Sequence, residues 1–222
     1  DTTAKILGRM QQAQENSTHG KTQRTGVYTT GILSRREGRS IALFFTGKGH
    51  AGENLAQVLA QRAAELAPPI QMCDGLGHNV PKAFQTILGN CLTHARRKYV
   101  EVAAHFPEQC RFVIETLAEV YRVDARCKEQ QLSAQQRLSL HQQHSGPLMD
   151  TLKGWMSEQI ESHKVEPNSG LGEAIGYMNK RWKELTLFLR KAGAPLDNND
   201  LEQALKRVIL HRKNAYFYRT DR

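Results

Sequence analysis

The sequence predicts an α/β protein, with a mixed sheet and flanking helices early in the chain and an all-helical region after it. Three observations carry this expectation. Short β-rich runs occupy the first fifty residues. The hydrophobic period then changes to helical spacing at Leu55. From about residue 94 onward, successive apolar stripes follow helical spacing almost to the end. The chain has 222 residues, enough for one large domain or two small ones. Its 39% hydrophobic and 24% charged content excludes a wholly disordered chain. No apolar run approaches the ~20 residues of a membrane span, and the first residues lack the apolar stretch of a signal peptide. Cys73, Cys91, Cys110 and Cys127 are too few for a disulfide scaffold, so a reducing, intracellular setting is expected.

Residues 2–7 form a short strand candidate, and the polar stretch 11–25 reads as a loop. Residues 27–33 and 41–45 are β-rich runs joined by 34–40, which contains Gly38, so a hairpin is expected. The short apolar run 41–45 has the composition of a fully buried strand. Leu55, Val58, Leu59, Ala63 and Leu66 share one helix face, and Pro68-Pro69 stops that helix. Residues 70–73 form a short apolar strand running into Asp74-Gly75. Residues 87–92 form another candidate, interrupted by Gly89-Asn90. The sheet should therefore have an antiparallel and a parallel part.

Beyond it, Phe112, Val113, Leu117, Val120 and Tyr121 make one helical stripe. Leu148, Leu152, Trp155, Met156 and Ile160 make a second, with Ser145 and Pro147 as start signals. Leu171, Ile175, Met178, Trp182, Leu185 and Leu189 make a third, behind Ser169. The Gln-rich stretch 130–143 reads as an exposed helix or linker, and 166–170 as a break. A last helix starts near Asn199. Stripes of Trp, Met and Leu are read as packing faces.

Charge is segregated. Residues 1–50 carry eight Lys/Arg and three acids, residues 51–205 seventeen and eighteen, and residues 206–222 six and one. The net +9 therefore sits at the two ends. Clustered cations suit a polyanion, because phosphate contacts release counterions. Solvated surface charge is the competing account.

Asp74 follows a strand, at the kind of strand end where α/β sheets bind ligands, and can reach a metal. An Asp-Gly turn is the simpler structural reading. Glu202 follows Asn199 at capping-box spacing, yet also lies at the edge of an apolar helix stripe, from where it can face the sheet. Cys91 and His94 have Cys-x-x-His spacing, but one pair leaves a tetrahedral zinc site incomplete, so a buried Cys and a polar His are expected. No Walker loop, dinucleotide fingerprint or Gly-x-Ser-x-Gly elbow is present. Two basic clusters remain. One is residues 94–99, with Arg96, Arg97 and Lys98. The other begins with Lys206 and Arg207, includes Arg212 and Lys213, and interleaves Tyr216, Phe217 and Tyr218. Cations can track a nucleic-acid backbone while aromatic rings stack on bases.

Taken together, DTTAKIL at 1–7, MCDGLG at 72–77, CLTHARRKY at 91–99, the stretch 137–156 and the stretch 168–217 resemble the catalytic region of bacterial DDE transposases of the insertion-sequence-sixty-six family. The resemblance implies a ribonuclease-H-like mixed sheet with flanking helices and an inserted all-helical region. It divides the chain into a sheet core at 1–100, an insertion at 101–166 and returning helices at 167–222. It implies three metal-binding carboxylates: Asp74, Glu202, and either Asp1 or the residue before it. It further implies that the chain is a fragment. The expected cofactor is Mg²⁺, two ions ~3.5–4 Å apart, with Mn²⁺ as a substitute. The expected activity is DNA cleavage at transposon ends and strand transfer into target DNA. The basic residues would hold phosphates. A homo-oligomer on DNA, companion proteins of the same element, a bacterial cytoplasmic location and no membrane association follow from the same resemblance. The rival readings are a catalytically inactive DNA-binding fragment and a nuclease without strand transfer.

Overall fold

Two strands joined by a two-residue turn form the first described element, a β-hairpin. The computed structural model describes residues 26–36, 38–63 and 65–214, with 207–209 and 211–214 described by their backbone. Strands β1 (Tyr28–Arg36) and β2 (Arg39–Gly47) pair antiparallel from Tyr28↔Gly47 to Arg36↔Arg39. Most of the loop expected at 34–40 is thus strand. Gly38, with φ 77°, supplies the left-handed turn residue that a side chain would resist.

The fully buried strand expected at 41–45 is not observed. Ile41, Leu43 and Phe44 are 63%, 38% and 41% exposed. The cause is topological: helices pack on β1, while β2 is the outer strand of a two-stranded ribbon. Helix α1 (Ala51–Leu59) is tied to β1 by Asn54, whose Nδ2 donates to Thr30 Oγ1 at 2.9 Å. The helix stops at Leu59, short of the expected end. Leu66 is 41% exposed, so the distal part of that stripe has no surface to bury it.

Strands β3 (Ile70–Cys73) and β4 (Ile87–Asn90) pair in parallel, from Ile70↔Ile87 to Cys73↔Asn90. The strand expected through Leu92 ends at Asn90. Cys91 is instead the N-cap of α2 (Leu92–Val102). Among the described residues the two strand pairs are separate sheets. The strand candidate at 2–7 and the loop at 11–25 lie outside the described residues.

The helical region comprises α3 (Pro107–Glu129), α4 (Ala134–Glu161), α5 (Gly170–Lys180), α6 (Trp182–Leu185), a 3₁₀ turn at Leu187–Leu189 and α7 (Asn199–Asn214). The predicted start at Ser145 and Pro147 is overturned. Helix α4 begins at Ala134 behind a Ser133–Gln136 capping box and carries Pro147 in its interior. Its buried face, His141, Ser145, Met149, Leu152 and Met156, runs straight past the proline. Continuous packing on both sides therefore outweighs the hydrogen bond that proline removes. The third stripe breaks at Arg181 into α5, α6 and the 3₁₀ turn.

One hydrophobic core joins these pieces. Leu92 and Tyr99 of α2 meet Leu117 of α3, Met156 of α4, Met178 of α5 and Leu196 before α7, while Ile70 and Ile87 of the parallel pair pack against it. Tyr99 is fully buried, and its hydroxyl donates to Met156 Sδ at 3.4 Å. A buried charge ties α3 to α4. Asp124 accepts from Arg137 Nη2 at 2.6 Å and lies 2.8 Å from Lys128 Nζ and 3.4 Å from His141 Nε2. Burial works to raise its pKa. The bonds from His141 and Lys128 and the charges of Lys128 and Arg137 prevail, and hold the carboxyl well below its usual range.

Asp124→Ala would leave Arg137 and His141 without their acceptor. It is expected to cost about 2–3 kcal/mol, the lower end for a broken buried pair, since Lys128 and part of Arg137 reach solvent. Because the folded-state pKa is depressed, the wild-type advantage is complete above about pH 4 and shrinks as pH falls further. Urea unfolding of both proteins across that range measures it.

Candidate functional site

The parallel register brings two chemically rich segments to one end of β3 and β4. Cys73 pairs with Asn90, so Asp74 and Cys91 each follow the last residue of neighbouring strands. The Cys91 backbone N–H donates to Cys73 O at 2.9 Å, and the next residue, Leu92, donates to Leu196 O at 3.0 Å. These two bonds hold the end of β3, the start of α2 and the segment leading into α7 together.

Asp74 is part of a turn, as the simpler reading expects. Its Oδ1 accepts from Leu76 N at 3.3 Å and from Asn79 Nδ2. Gly75 lets Arg181 lie directly on its backbone. A Cβ at residue 75 would stand 2.7 Å from Arg181 Cδ. Arg181 Nη2 donates to Gly75 O at 3.0 Å, and its guanidinium stacks 4.2 Å from the Tyr177 ring centroid. Cys73, Asn90, Arg181 and Glu184 line a cavity of about 240 Å³ beside this turn. Burial, with Asp74 and Cys91 nearby, pushes the Cys73 thiol up to about 11.

Glu202 lies in the first turn of α7. Asn199 is the first helical residue, with its N–H and side-chain amide bonded to Asp197, while the Glu202 carboxylate faces α2. Its Oε1 is 3.8 Å from His94 Nδ1. Cys91 Sγ, a His94 ring nitrogen and a Glu202 oxygen all lie within 4.8 Å of one another. Burial raises the Cys91 pKa, opposed by the backbone N–H groups of Asn198, His94 and Thr93 aimed at its sulfur. Asp74 is not a member of this donor group.

The position of α7 depends on a close approach to the hairpin. A Cβ at Gly31 of β1 would stand 2.9 Å from both Leu201 Cδ1 and Leu205 Cγ. Arg35 Nη1 adds an ion pair to Asp200 at 2.6 Å, exposed to solvent and so worth little by itself. Arg96, Arg97 and Lys98 of α2 are exposed, as is Lys206 of α7. The side chains of Arg207, Arg212 and Lys213 lie outside the described residues, and so does Asp1. The sequence does not single out His94, Arg181 or Tyr177 as site residues. The Cys-x-x-His spacing is the one local signal for His94, and nothing local marks Arg181 or Tyr177.

Gly75→Ala should displace Arg181 from the turn and cost about 1–3 kcal/mol, as overpacking does. In the Arg181→Ala background the added methyl no longer meets the guanidinium and has Tyr177 Oη at 3.1 Å as its remaining close neighbour, so the double variant should lose less than the sum of the two single losses. Thermal unfolding of the four proteins checks this coupling.

The profile of the Transposase IS66 family matches residues 1–222. The uncharacterized protein y4jD of Sinorhizobium fredii (strain NBRC 101917 / NGR234) is 35% identical over 132 residues, covering 59% of this chain and 25% of that protein. The uncharacterized protein y4hP of the same organism is 32% identical over 154 residues, covering 64% of this chain and 27% of that protein. The chain thus spans about a quarter of the length of these curated relatives. No solved structure matches it. Among the described residues no helix is long and apolar enough to cross a membrane. The match runs the length of the sequence, through the Asp74 turn, the Cys91–Lys98 segment and the helix bearing Glu202, and the chain belongs to the IS66 transposase family.

Proposed function

We propose that this chain is the catalytic region of a DDE transposase, which cleaves DNA at transposon ends and transfers the freed strands into target DNA. The observation that carries the reading is the family match, together with two of the expected acids standing on segments that meet at one end of β3 and β4. The core would be a ribonuclease-H-like sheet at 1–100, with 101–166 as its helical insertion and 167–222 returning Glu202 to it.

Asp74 and Glu202 offer carboxylate oxygens, the donors Mg²⁺ prefers. Asp74 Oδ1 is engaged by Leu76 and Asn79, so Oδ2 is the oxygen left for a cation. Asp1, or the residue before it, would complete the set. Mg²⁺, or Mn²⁺ in its place, would supply activation of the attacking hydroxyl and stabilisation of the leaving phosphodiester oxygen. The chain's own residues bind and orient the DNA. Arg96, Arg97 and Lys98 are exposed on α2, which starts after Cys91, and Lys206 lies one turn beyond Glu202 on α7, so these cations stand on the two helices that carry the site. Arg207, Arg212 and Lys213 would extend this phosphate-binding track. An oligomer on DNA, pairing two transposon ends, and companion proteins of the same element belong to the same proposal.

A DNA-binding module without activity is the second reading. It is favoured by the engagement of Asp74 in its turn and by its absence from the Glu202 donor group. The two readings separate in the full-length protein. Asp74→Ala and Glu202→Gln should each abolish nicking of transposon-end DNA in Mg²⁺ while leaving binding in EDTA intact. Normal nicking by Asp74→Ala would refute the catalytic assignment.

The basic track has its own test. Arg96→Ala and Arg97→Ala should each reduce the slope of log K against log salt by about 0.9 for every phosphate no longer neutralised, whatever the DNA sequence. Fluorescence anisotropy at several salt concentrations reads the slope.

A further inference from the structure

We infer that Cys91, His94 and Glu202 form a binding site for a borderline-soft divalent cation of the Zn²⁺ type, distinct in chemistry from the proposed Mg²⁺ site. Cys91 Sγ, a His94 ring nitrogen and a Glu202 oxygen lie within 4.8 Å of one another, with His94 Nδ1 and Glu202 Oε1 at 3.8 Å. Tetrahedral zinc has bonds of ~2.0–2.3 Å, which place its ligands ~3.5 Å apart. Small side-chain rotations close that difference.

A second observation is independent of this distance. His94 Nδ1 is buried and has no hydrogen-bond partner. At 3.8 Å, Glu202 is too far to be one. Such an orphaned atom costs free energy unless a water or an ion satisfies it. Asn198 Oδ1 is likewise buried without a partner, and the Asn198 backbone N–H points at the Cys91 sulfur. Two orphaned polar atoms thus belong to residues packed around one thiol. A thiolate and an imidazole select zinc-like ions over Mg²⁺. Three protein ligands leave a fourth position for water, the arrangement of an exchangeable site. The Cys-x-x-His pair, incomplete in sequence, gains its third donor from α7.

The inference rests on these donors alone and does not require the catalytic reading. If that reading holds, Glu202 is common to both sites, so a zinc-type ion would compete with Mg²⁺ for it.

The test uses the metal-stripped chain in a non-thiol reductant, titrated with Co²⁺ and followed by absorption, without DNA. The expected result is a sulfur-to-cobalt charge-transfer band with tetrahedral d–d bands, bleached by Zn²⁺ but not by excess Mg²⁺. Cys91→Ser should remove the charge-transfer band. His94→Gln and Glu202→Gln should each weaken cobalt binding about tenfold or more. Circular dichroism in EDTA verifies folding. Glu202 is partly exposed, so its variant remains informative should Cys91→Ser unfold. A wild-type chain with no charge-transfer band would overturn the inference and leave a His94–Glu202 ion pair only. A band unchanged in Glu202→Gln, or surviving in folded Cys91→Ser, would also overturn it.

Discussion

The pair of backbone hydrogen bonds at Cys91 and Leu92 is the constraint on which the rest of this molecule depends. Cys91 N–H reaches back to Cys73, and Leu92 N–H reaches forward to Leu196. Both are short-range bonds in space between segments remote in the chain. They lie beside fully buried Leu92 and buried Leu196, so water cannot compete for these groups. Asp74 begins where the first partner ends, and Glu202 lies in the first turn of the helix after the second. The meeting of these segments is thus a consequence of closing the backbone ladder, and no favourable contact between the acids is needed to produce it.

How much of this was legible in the sequence follows the range of the interaction. Residues 70–73 read correctly as a strand because four apolar residues are bounded by Pro68-Pro69 on one side and Asp74-Gly75 on the other. Ser169 announced α5 because its hydroxyl accepts from Gly172 N three residues on. The start near Asn199 was equally local. The failures came where distant packing decided. Pro147 looks like a helix start, yet His141, Ser145 and Met149 bury one continuous face across it. Ile41 and Phe44 look like core, yet β2 has no layer over it among the described residues. Hydrophobic pattern reports what can be buried; topology determines what is.

The candidate site divides in the same way. Asp74 carried both a turn signal and a ligand signal; the turn engages Oδ1, so a ligand role for Oδ2, as proposed, would be compatible with it. The capping box expected from Asn199 and Glu202 is not formed. Asp197 takes the Asn199 N–H and leaves the Glu202 carboxylate to face α2. His94 reads as an ordinary polar residue in sequence because the acid that faces it comes from α7. Helix α7 in turn packs through Leu201 and Leu205 against a glycine in β1. No window along the chain contains that information.

The two proposals ask different chemistry of Glu202. One sets it beside Cys91 and His94, a thiol and an imidazole whose softness favours zinc-like ions. The other would pair it with the carboxylate of Asp74, whose hard oxygens favour magnesium. A carboxylate is acceptable to both classes of ion, while a thiol is not. Which cation Glu202 would serve then depends on its neighbours and on which ion is available, because thiolate and imidazole donors suit zinc-type ions and carboxylates suit magnesium. The turn that holds Asp74 in place through Leu76 and Asn79 matters for this reason. It keeps one hard donor oriented at the end of β3, so a cation bound there would not depend on ordering a mobile side chain.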